Sequence, residues 1–125
     1  MPRIMIVDDV ATIRHIVSSV LQDVKYSVME AANADQALAL AKVQRAHLVV
    51  TDVDMPGKSG LDLIKELRAI KNYRNTPILI LAKDAKDENI QMAQALGASG
   101  WIAKPFTPES LLGTINQVLV DQYVH

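Results

Sequence analysis

Three apolar runs of this sequence each lead into charged residues that suit metal and phosphate chemistry. Asp8 and Asp9 follow the first run, and Asp52 follows the second. Lys104 follows the third. In a parallel α/β sheet the carboxyl ends of the strands lie along one edge, where ligands bind. We therefore expect these carboxylates and this ammonium group to meet in one pocket.

Carboxylates held this close together repel one another unless a cation lies between them. Mg²⁺ suits a few carboxylate oxygens supplemented by water, so Asp8, Asp9 and Asp52 predict a magnesium site. The Lys104 ammonium suits an incoming phosphoryl group, because cations stabilise the negative charge that moves in phosphoryl transfer. The four residues together predict metal-assisted phosphoryl chemistry on a small α/β domain.

Five apolar runs of the sequence predict the strands that would position these residues. Their near-continuous Ile, Val and Leu content is typical of a parallel sheet covered on both faces. Helical patterns lie between the runs, which predicts βαβ units and a doubly wound (βα)5 fold with a five-stranded parallel sheet. The predicted strands are Arg3 to Val7, Tyr26 to Glu30, His47 to Thr51, Pro77 to Ala82 and Gly100 to Ala103.

Local signals predict where several helices begin and end. Asn33, with Gln36 three residues later, predicts an N-cap and a capping box for the second helix. Gly97 stands where a left-handed C-terminal cap of the fourth helix is expected. Thr107 followed by Pro108 is a start signal for the last helix.

The composition limits the class of protein. The 125 residues fit one domain, spanning 1–125, and half of them are hydrophobic. Thirteen basic and fourteen acidic residues leave a formal charge of -1, so nucleic acid is not an expected partner. There is no cysteine, which excludes disulfides and thiolate metal sites. No apolar run is long enough to cross a membrane, and we expect a cytoplasmic, soluble monomer.

Each charged motif has a simpler interpretation when taken alone. Asp8 and Asp9 could cap a helix and favour its dipole. The run 52–57 contains the residues of an ordinary turn, and Lys104-Pro105 is a common loop pair. All three motifs stand at strand ends, however, and that shared position favours the functional interpretation.

The same motifs resemble the receiver domain of two-component response regulators. The acid pair after the first strand, the Asp-x-Asp-Met-Pro-Gly-x-x-Gly run of residues 52–60 and the Lys-Pro-Phe of residues 104–106 carry the resemblance. It covers essentially the whole chain. Residues 85–90 and 97–107 are especially similar to chemotaxis regulators of the CheY type. The resemblance implies a flavodoxin/CheY-like fold.

The resemblance also implies a role for each matching residue. Asp52 would be the phosphoacceptor that attacks a histidine kinase phosphohistidine. Asp9 would bind Mg²⁺ with Asp52 and the backbone carbonyl of Asp54, and Asp8 would orient the ligands. Lys104 would pair with the acyl phosphate.

The resemblance further implies a cis bond between Lys104 and Pro105. The partners would be a kinase of the CheA type and, through the helix 4–strand 5–helix 5 face, a flagellar motor switch protein or another output protein. The chain would then act in chemotaxis, and its only catalysis would be self-phosphorylation and autodephosphorylation.

Three positions depart from the receiver pattern. Ala82 stands where receivers carry Ser or Thr, whose hydroxyl bonds the phosphoryl group. Lys83 replaces a small residue and is either a solvated loop lysine or a second phosphate-binding cation. Trp101 replaces the smaller switch aromatic and is either a core residue or a rotating switch. An alternative function is therefore an atypical receiver with weakened switching, acting as a phosphate sink or a constitutive binding module.

Two other classes fit the residues less well. Asp52-Val53-Asp54 begins like the nucleophile motif of haloacid-dehalogenase phosphatases, but Pro56 stands where those enzymes carry Thr or Val. A flavodoxin-like FMN carrier would need a phosphate loop after the first strand, and the acid pair there would repel phosphate.

Overall fold

A computed structural model describes residues 2–124 of the chain, with the side chains of residues 2–122. Strands and helices alternate along these residues, as the sequence predicts. The strands are β1 Arg3–Val7, β2 Ser27–Ala31, β3 Leu48–Asp52, β4 Ile78–Ala82 and β5 Gly100–Ala103. The helices are α1 Ala11–Asp23, α2 Ala34–Val43, α3 Gly60–Arg68, α4 Glu88–Ala95 and α5 Pro108–Val124, with a 3-10 turn at Lys71–Tyr73.

The strands form one parallel sheet in the order β2-β1-β3-β4-β5. The predicted α/β fold with five parallel strands is therefore confirmed. The chain runs outward in one direction from β1 to β2 and in the other from β3 to β5, so the direction changes between β1 and β3. Val7 pairs with Thr51 across this boundary. The residues that follow both strands are thereby brought side by side, at the type of edge where α/β sheets bind ligands.

Apolar side chains fill both faces of the sheet, which explains the near-continuous hydrophobic runs. Every residue of β3 and β4 is buried. Helices α2, α3 and α4 cover one face, and α1 and α5 cover the other. Burial of each fully buried Leu or Ile side chain stabilises the folded state by about 1.5–3 kcal/mol. The sheet therefore holds the residues at its carboxyl edge in fixed positions.

The turn into β2 differs from the prediction by one residue. The strand occupies Ser27–Ala31 rather than Tyr26–Glu30. The Tyr26 amide donates to the carbonyl of Leu21 at 3.1 Å, which closes the end of α1 and takes Tyr26 out of the sheet. Lys25 has a φ of 74°, in the left-handed region where glycine is usual. Because a lysine occupies this position, the sequence does not reveal the turn.

The starts of β3 and β4 were also predicted one residue early, since these strands begin at Leu48 and Ile78.

The predicted N-cap of α2 is found, but its capping box is incomplete. Asn33 accepts a hydrogen bond from the Gln36 amide at 2.8 Å, but the Gln36 side chain bonds the amide of Ala32 rather than that of Asn33. Half of the predicted capping box is therefore present.

The predicted caps of the fourth and last helices are both found. Gly97 has a φ of 107° and follows α4. The Thr107 hydroxyl accepts from the Ser110 amide at 3.0 Å and caps α5. Within residues 2–124, no helix combines the length and the apolar character that a membrane crossing needs.

Candidate functional site

Asp8 and Asp9 lie at the carboxyl end of β1, and their environments differ. Asp8 is only 2% exposed, whereas Asp9 is exposed. The Asp8 amide donates to the Ala31 carbonyl at 3.1 Å, and its Oδ1 accepts from the Val10 amide at 2.9 Å. The alternative interpretation of the pair as a helix cap is wrong, because Val10 is the N-cap residue and has no side-chain cap bond. Asp8 is instead oriented toward the sheet edge.

Asp52 is the last residue of β3 and faces the same edge. It is 6% exposed. Its Oδ1 accepts from the Val53 amide at 2.8 Å and from the Lys104 ammonium at 3.1 Å. The Lys104 amide donates to the carbonyl of Ala82 at 2.8 Å, which anchors the chain beside β4. The peptide bond from Lys104 to Pro105 is cis.

Three carboxylates meet at this edge. Asp8, Asp9 and Asp52 each offer one oxygen, and these oxygens lie within 4.8 Å of one another. Burial raises the pKa of Asp8 above its usual value, and the negative charge of Asp52 raises it further. Such a crowded, partly buried set of oxygen donors fits Mg²⁺, which prefers carboxylate and water oxygens. Asp54 follows two residues after Asp52 with an exposed side chain, and its role as a carbonyl ligand stays a prediction.

The turn after Asp52 requires glycine where α3 begins. A Cβ on Gly60 would overlap the carbonyl oxygen of Asp52. The Gly60 amide donates to the carbonyl of Val53 at 2.8 Å, which draws the helix start onto the strand end. Ser59 and Asp62 form a capping box that the sequence analysis did not anticipate. The Asp-x-Asp-Met-Pro-Gly-x-x-Gly run therefore packs α3 directly behind Asp52.

A model of the response regulator receiver domain matches residues 4–116. The chain belongs to this family. Chemotaxis protein CheY-3 of Vibrio cholerae is 38% identical over 117 residues, which cover 93% of this chain and 90% of that protein. Chemotaxis protein CheY of Pseudomonas aeruginosa is 33% identical over 117 residues, which cover 93% of this chain and 94% of that protein. The receiver domain thus has relatives that match it over nearly their whole length.

Solved structures agree with this assignment. The chemotaxis response regulator CheY4 of Vibrio cholerae superposes with a TM-score of 0.91 at 42% identity, covering 94% of this chain and 98% of that one. A CheY-like receiver domain protein from Methanospirillum hungatei gives a TM-score of 0.91 at 28% identity, covering 98% and 97% of the two chains. The fold of this receiver is therefore shared by sequences that differ at most positions.

The end of β4 lacks a hydroxyl in this receiver. Ala82 is buried, with 1% exposure. Lys83 is exposed, and its backbone amide donates to Oδ2 of Asp87 at 3.1 Å. Among the described residues, the Lys83 ammonium has no hydrogen bond or ion pair with the pocket carboxylates. Of the two lysines expected to bind phosphate, only Lys104 is placed against Asp52.

Asp87 organises the loop that follows Lys83. It is the N-cap residue of α4 and accepts from the Asn89 amide at 3.0 Å. Backbone hydrogen bonds from Asn89 and then Lys83 lower the pKa of its carboxyl group. One carboxylate therefore links the loop after β4 to the first turn of α4.

Trp101 lies in β5, at the edge of the sheet. It is partly buried and packs against the core cluster on the α4 side. Together with Thr107, Ser110 and Thr114 it lines an open groove of about 500 Å³. The ring is therefore neither a fully buried core residue nor a free surface group.

Sequence reasoning missed one polar residue that contacts the pocket loop. Arg14 of α1 donates to the backbone carbonyl of Asp8 at 2.7 Å and to the Glu30 carboxylate at 3.2 Å. An arginine on an amphipathic helix normally predicts a solvated face. Its position five residues after Asp9 was the available signal, but that spacing has no meaning until the helix is placed against the loop.

Proposed function

We propose that this receiver is a phosphoacceptor whose reactive group is the Asp52 carboxylate. An Asp52 oxygen attacks the phosphorus of a phosphohistidine on a histidine kinase. A new oxygen–phosphorus bond forms, the nitrogen–phosphorus bond breaks, and the histidine nitrogen regains a proton from solvent. The observation that carries this proposal is the position of Asp52 between the acid pair and the Lys104 ammonium, which lies 3.1 Å away.

The neighbouring residues supply charge rather than covalent chemistry. Lys104 would neutralise negative charge as the phosphoryl group arrives, which is the main requirement of phosphoryl transfer. Asp8, Asp9 and Asp52, with the carbonyl of Asp54, would hold Mg²⁺. When bound, the ion would supply a second positive charge to the phosphoryl group. This division of roles matches the arrangement of three carboxylates opposite one cation.

The proposed output is protein binding in chemotaxis and control of flagellar rotation. Relatives of this chain are named as chemotaxis proteins. A kinase of the CheA type would supply the phosphoryl group in the cytoplasm, and a flagellar motor switch protein would read it at the face formed by α4, β5 and α5. Met92 and Val120, which are 51% and 53% exposed, add apolar surface to α4 and α5.

Phosphorylation by a small donor tests the central step. Acetyl phosphate and Mg²⁺ should add the mass of one phosphoryl group to the protein. Asp52→Asn should remove this gain, whereas Asp23→Asn should keep it, because Asp23 is an exposed residue at the end of α1. Phosphorylation of the Asp52→Asn protein would contradict the assignment.

A second candidate function rests on Ala82. Its side chain offers no hydroxyl to a phosphoryl group on Asp52, so the loop after β4 gains less from phosphorylation. The protein would then be a phosphate sink or a constitutive binding module. Equal affinity of the phosphorylated and unphosphorylated forms for an output partner would favour this function, and a marked difference would favour switching.

A further inference from the structure

The side chain of Arg14 is held between the pocket loop and the neighbouring strand. Its Nη1 donates to the backbone carbonyl of Asp8 at 2.7 Å. Its Nε donates to Oε1 of Glu30, on β2, at 3.2 Å. The side chain is only 15% exposed. A planar guanidinium held by two polar partners in different elements has a defined position, unlike a solvated surface arginine.

These contacts close a hydrogen-bonded ring around Asp8. Glu30 holds Arg14, and the next residue, Ala31, accepts the Asp8 amide at 3.1 Å. The Asp8 carboxylate accepts the Val10 amide at 2.9 Å. The amide, the carbonyl and the side chain of Asp8 therefore each have a partner. Arg14 is the partner of the carbonyl.

The direction of this carbonyl matters because it fixes a peptide plane. The peptide unit is rigid, so the Asp8 carbonyl defines the orientation of the plane that joins Asp8 to Asp9. That plane in turn limits the directions in which the two carboxylates leave the chain. Oxygens of Asp8, Asp9 and Asp52 converge to within 4.8 Å, where their charges repel. The loop needs an anchor that resists this repulsion.

We propose that Arg14 is a positioning residue for the magnesium site, acting through the carbonyl of Asp8. The inference rests on the Mg²⁺ binding stated under the proposed function and adds a residue outside the set of metal ligands. Residues that hold metal ligands in place typically change metal affinity by about 10–100-fold when they are removed. Arg14 satisfies the geometry of such a residue, since it bonds a ligand residue while itself being held by Glu30.

The positive charge of Arg14 acts on Mg²⁺ affinity in the direction opposite to its positioning role. Whether removal of Arg14 weakens or tightens Mg²⁺ binding therefore shows which effect is larger. A cation near the pocket disfavours Mg²⁺, so its removal would tighten metal binding if charge dominated. The Glu30 carboxylate lies 3.2 Å from Nε and opposes this charge. Positioning should therefore dominate, and removal of Arg14 should weaken metal binding.

Calorimetric titration of Mg²⁺ into metal-free protein, without a phosphodonor, tests this expectation. Arg14→Ala should raise the Mg²⁺ dissociation constant about tenfold. Arg14→Lys should recover part of the loss, because an ammonium can donate to the Asp8 carbonyl but cannot hold Glu30 in the same geometry. Binding by Arg14→Ala that is as tight as in the wild type, or tighter, would overturn the proposal.

Arg68→Ala is the matched control. Arg68 is also a partly buried arginine that donates to backbone carbonyls, those of Tyr73, Thr76 and Gly97. These carbonyls precede β4 and β5 in the chain, so they lie toward the amino ends of the strands, away from the carboxylate pocket. The variant should lose stability and keep the wild-type Mg²⁺ affinity, which separates positioning from a general loss of stability.

Amide hydrogen exchange gives a readout that does not need the metal. The Val10 amide is bonded to the Asp8 carboxylate, so it should exchange faster in Arg14→Ala than in Arg68→Ala once both are corrected for global stability. Unchanged Val10 exchange in Arg14→Ala would contradict the anchoring role. If the wild type itself binds no Mg²⁺, the metal part of the proposed function fails, and the exchange result still decides whether Arg14 holds the loop.

Discussion

The ammonium of Lys104 lies 3.1 Å from Oδ1 of Asp52, although 52 positions separate the two residues in the sequence. The side chain of Asp52 is 9% exposed and that of Lys104 is 36% exposed. The ion pair at the sheet edge is therefore partly exposed, and its cation is more exposed to solvent than its carboxylate. A phosphoryl group that approaches Asp52 from solvent would meet this cation.

Replacement of Lys104 by Ala should have opposite effects on phosphorylation and on metal binding. The rate of phosphorylation by acetyl phosphate should fall about a hundredfold, because one preorganised cation is lost from the transition state. Mg²⁺ should bind the unphosphorylated variant more tightly, by up to about fivefold. The reason is that the repulsion between the ammonium and the metal ion, at most about 1 kcal/mol, is removed. Mass spectrometry and calorimetry measure the two effects. Weaker Mg²⁺ binding would show that Lys104 supports the metal site structurally.

Introducing a hydroxyl at position 82 should increase the conformational change that follows phosphorylation. Ala82→Thr should enlarge the change in Trp101 fluorescence that acetyl phosphate produces, because the new hydroxyl can bond only the phosphorylated form. Lys83→Ala is the neighbouring control. It keeps the backbone bond to Asp87, so the fluorescence change should stay that of the wild type. A smaller change in Lys83→Ala would show that its ammonium reaches the phosphoryl group.

Gly60 and Gly113 form a matched pair of glycines. Gly60→Ala should cost at least about 2 kcal/mol and slow phosphorylation, because the new methyl group would displace the Asp52 carbonyl. Gly113 lies within α5, where an added Cβ meets nothing within 4 Å. Gly113→Ala should therefore stabilise the protein by about 1 kcal/mol. Urea unfolding measures both changes, and a neutral Gly60→Ala would refute the close packing behind Asp52.

His47 should make the stability of the protein depend on pH. Burial lowers the pKa of His47, and the charges of Arg45 and Arg3 lower it further. Its Nδ1 accepts from the Arg3 amide at 2.9 Å, a bond that protonation would remove. The unfolded chain, with a His pKa of about 6.5, then binds more protons than the folded protein. The contribution of neutral His47 is complete above that value and is lost as the pH falls below it.

The measurement is urea unfolding between pH 5 and pH 8 for the wild type and two variants. His47→Gln should flatten the loss of stability on the acid side, because the titrating group is removed. His15→Gln is the comparison at an exposed histidine of α1, whose Nε2 lies 3.9 Å from Oε1 of Glu30, and this variant should not flatten the acid-side loss. An acid-side loss of the same size in His47→Gln would assign the effect to other groups.

Features that depend on neighbours in the sequence were predicted well. Continuous apolar runs identified all five strands, because a strand buried on both faces shows this pattern wherever it lies in the sheet. The charged residues at three strand ends identified the pocket, since parallel strands share one carboxyl edge. The caps at Asn33 and Thr107 were predicted because they act within one helical turn.

Only the tertiary structure decided the contacts between distant elements. Arg14 and Arg68 have the sequence context of solvated helix residues, yet both donate to backbone carbonyls in other segments. The sequence left Lys83 with two interpretations, a solvated loop lysine or a phosphate-binding cation. In the described chain Lys83 is exposed and its ammonium forms no bond with the pocket carboxylates. A long side chain has several rotatable bonds, and its partner is set by which loop packs within reach. The sequence therefore determines the fold and the pocket residues, whereas packing decides which residues hold the pocket in place.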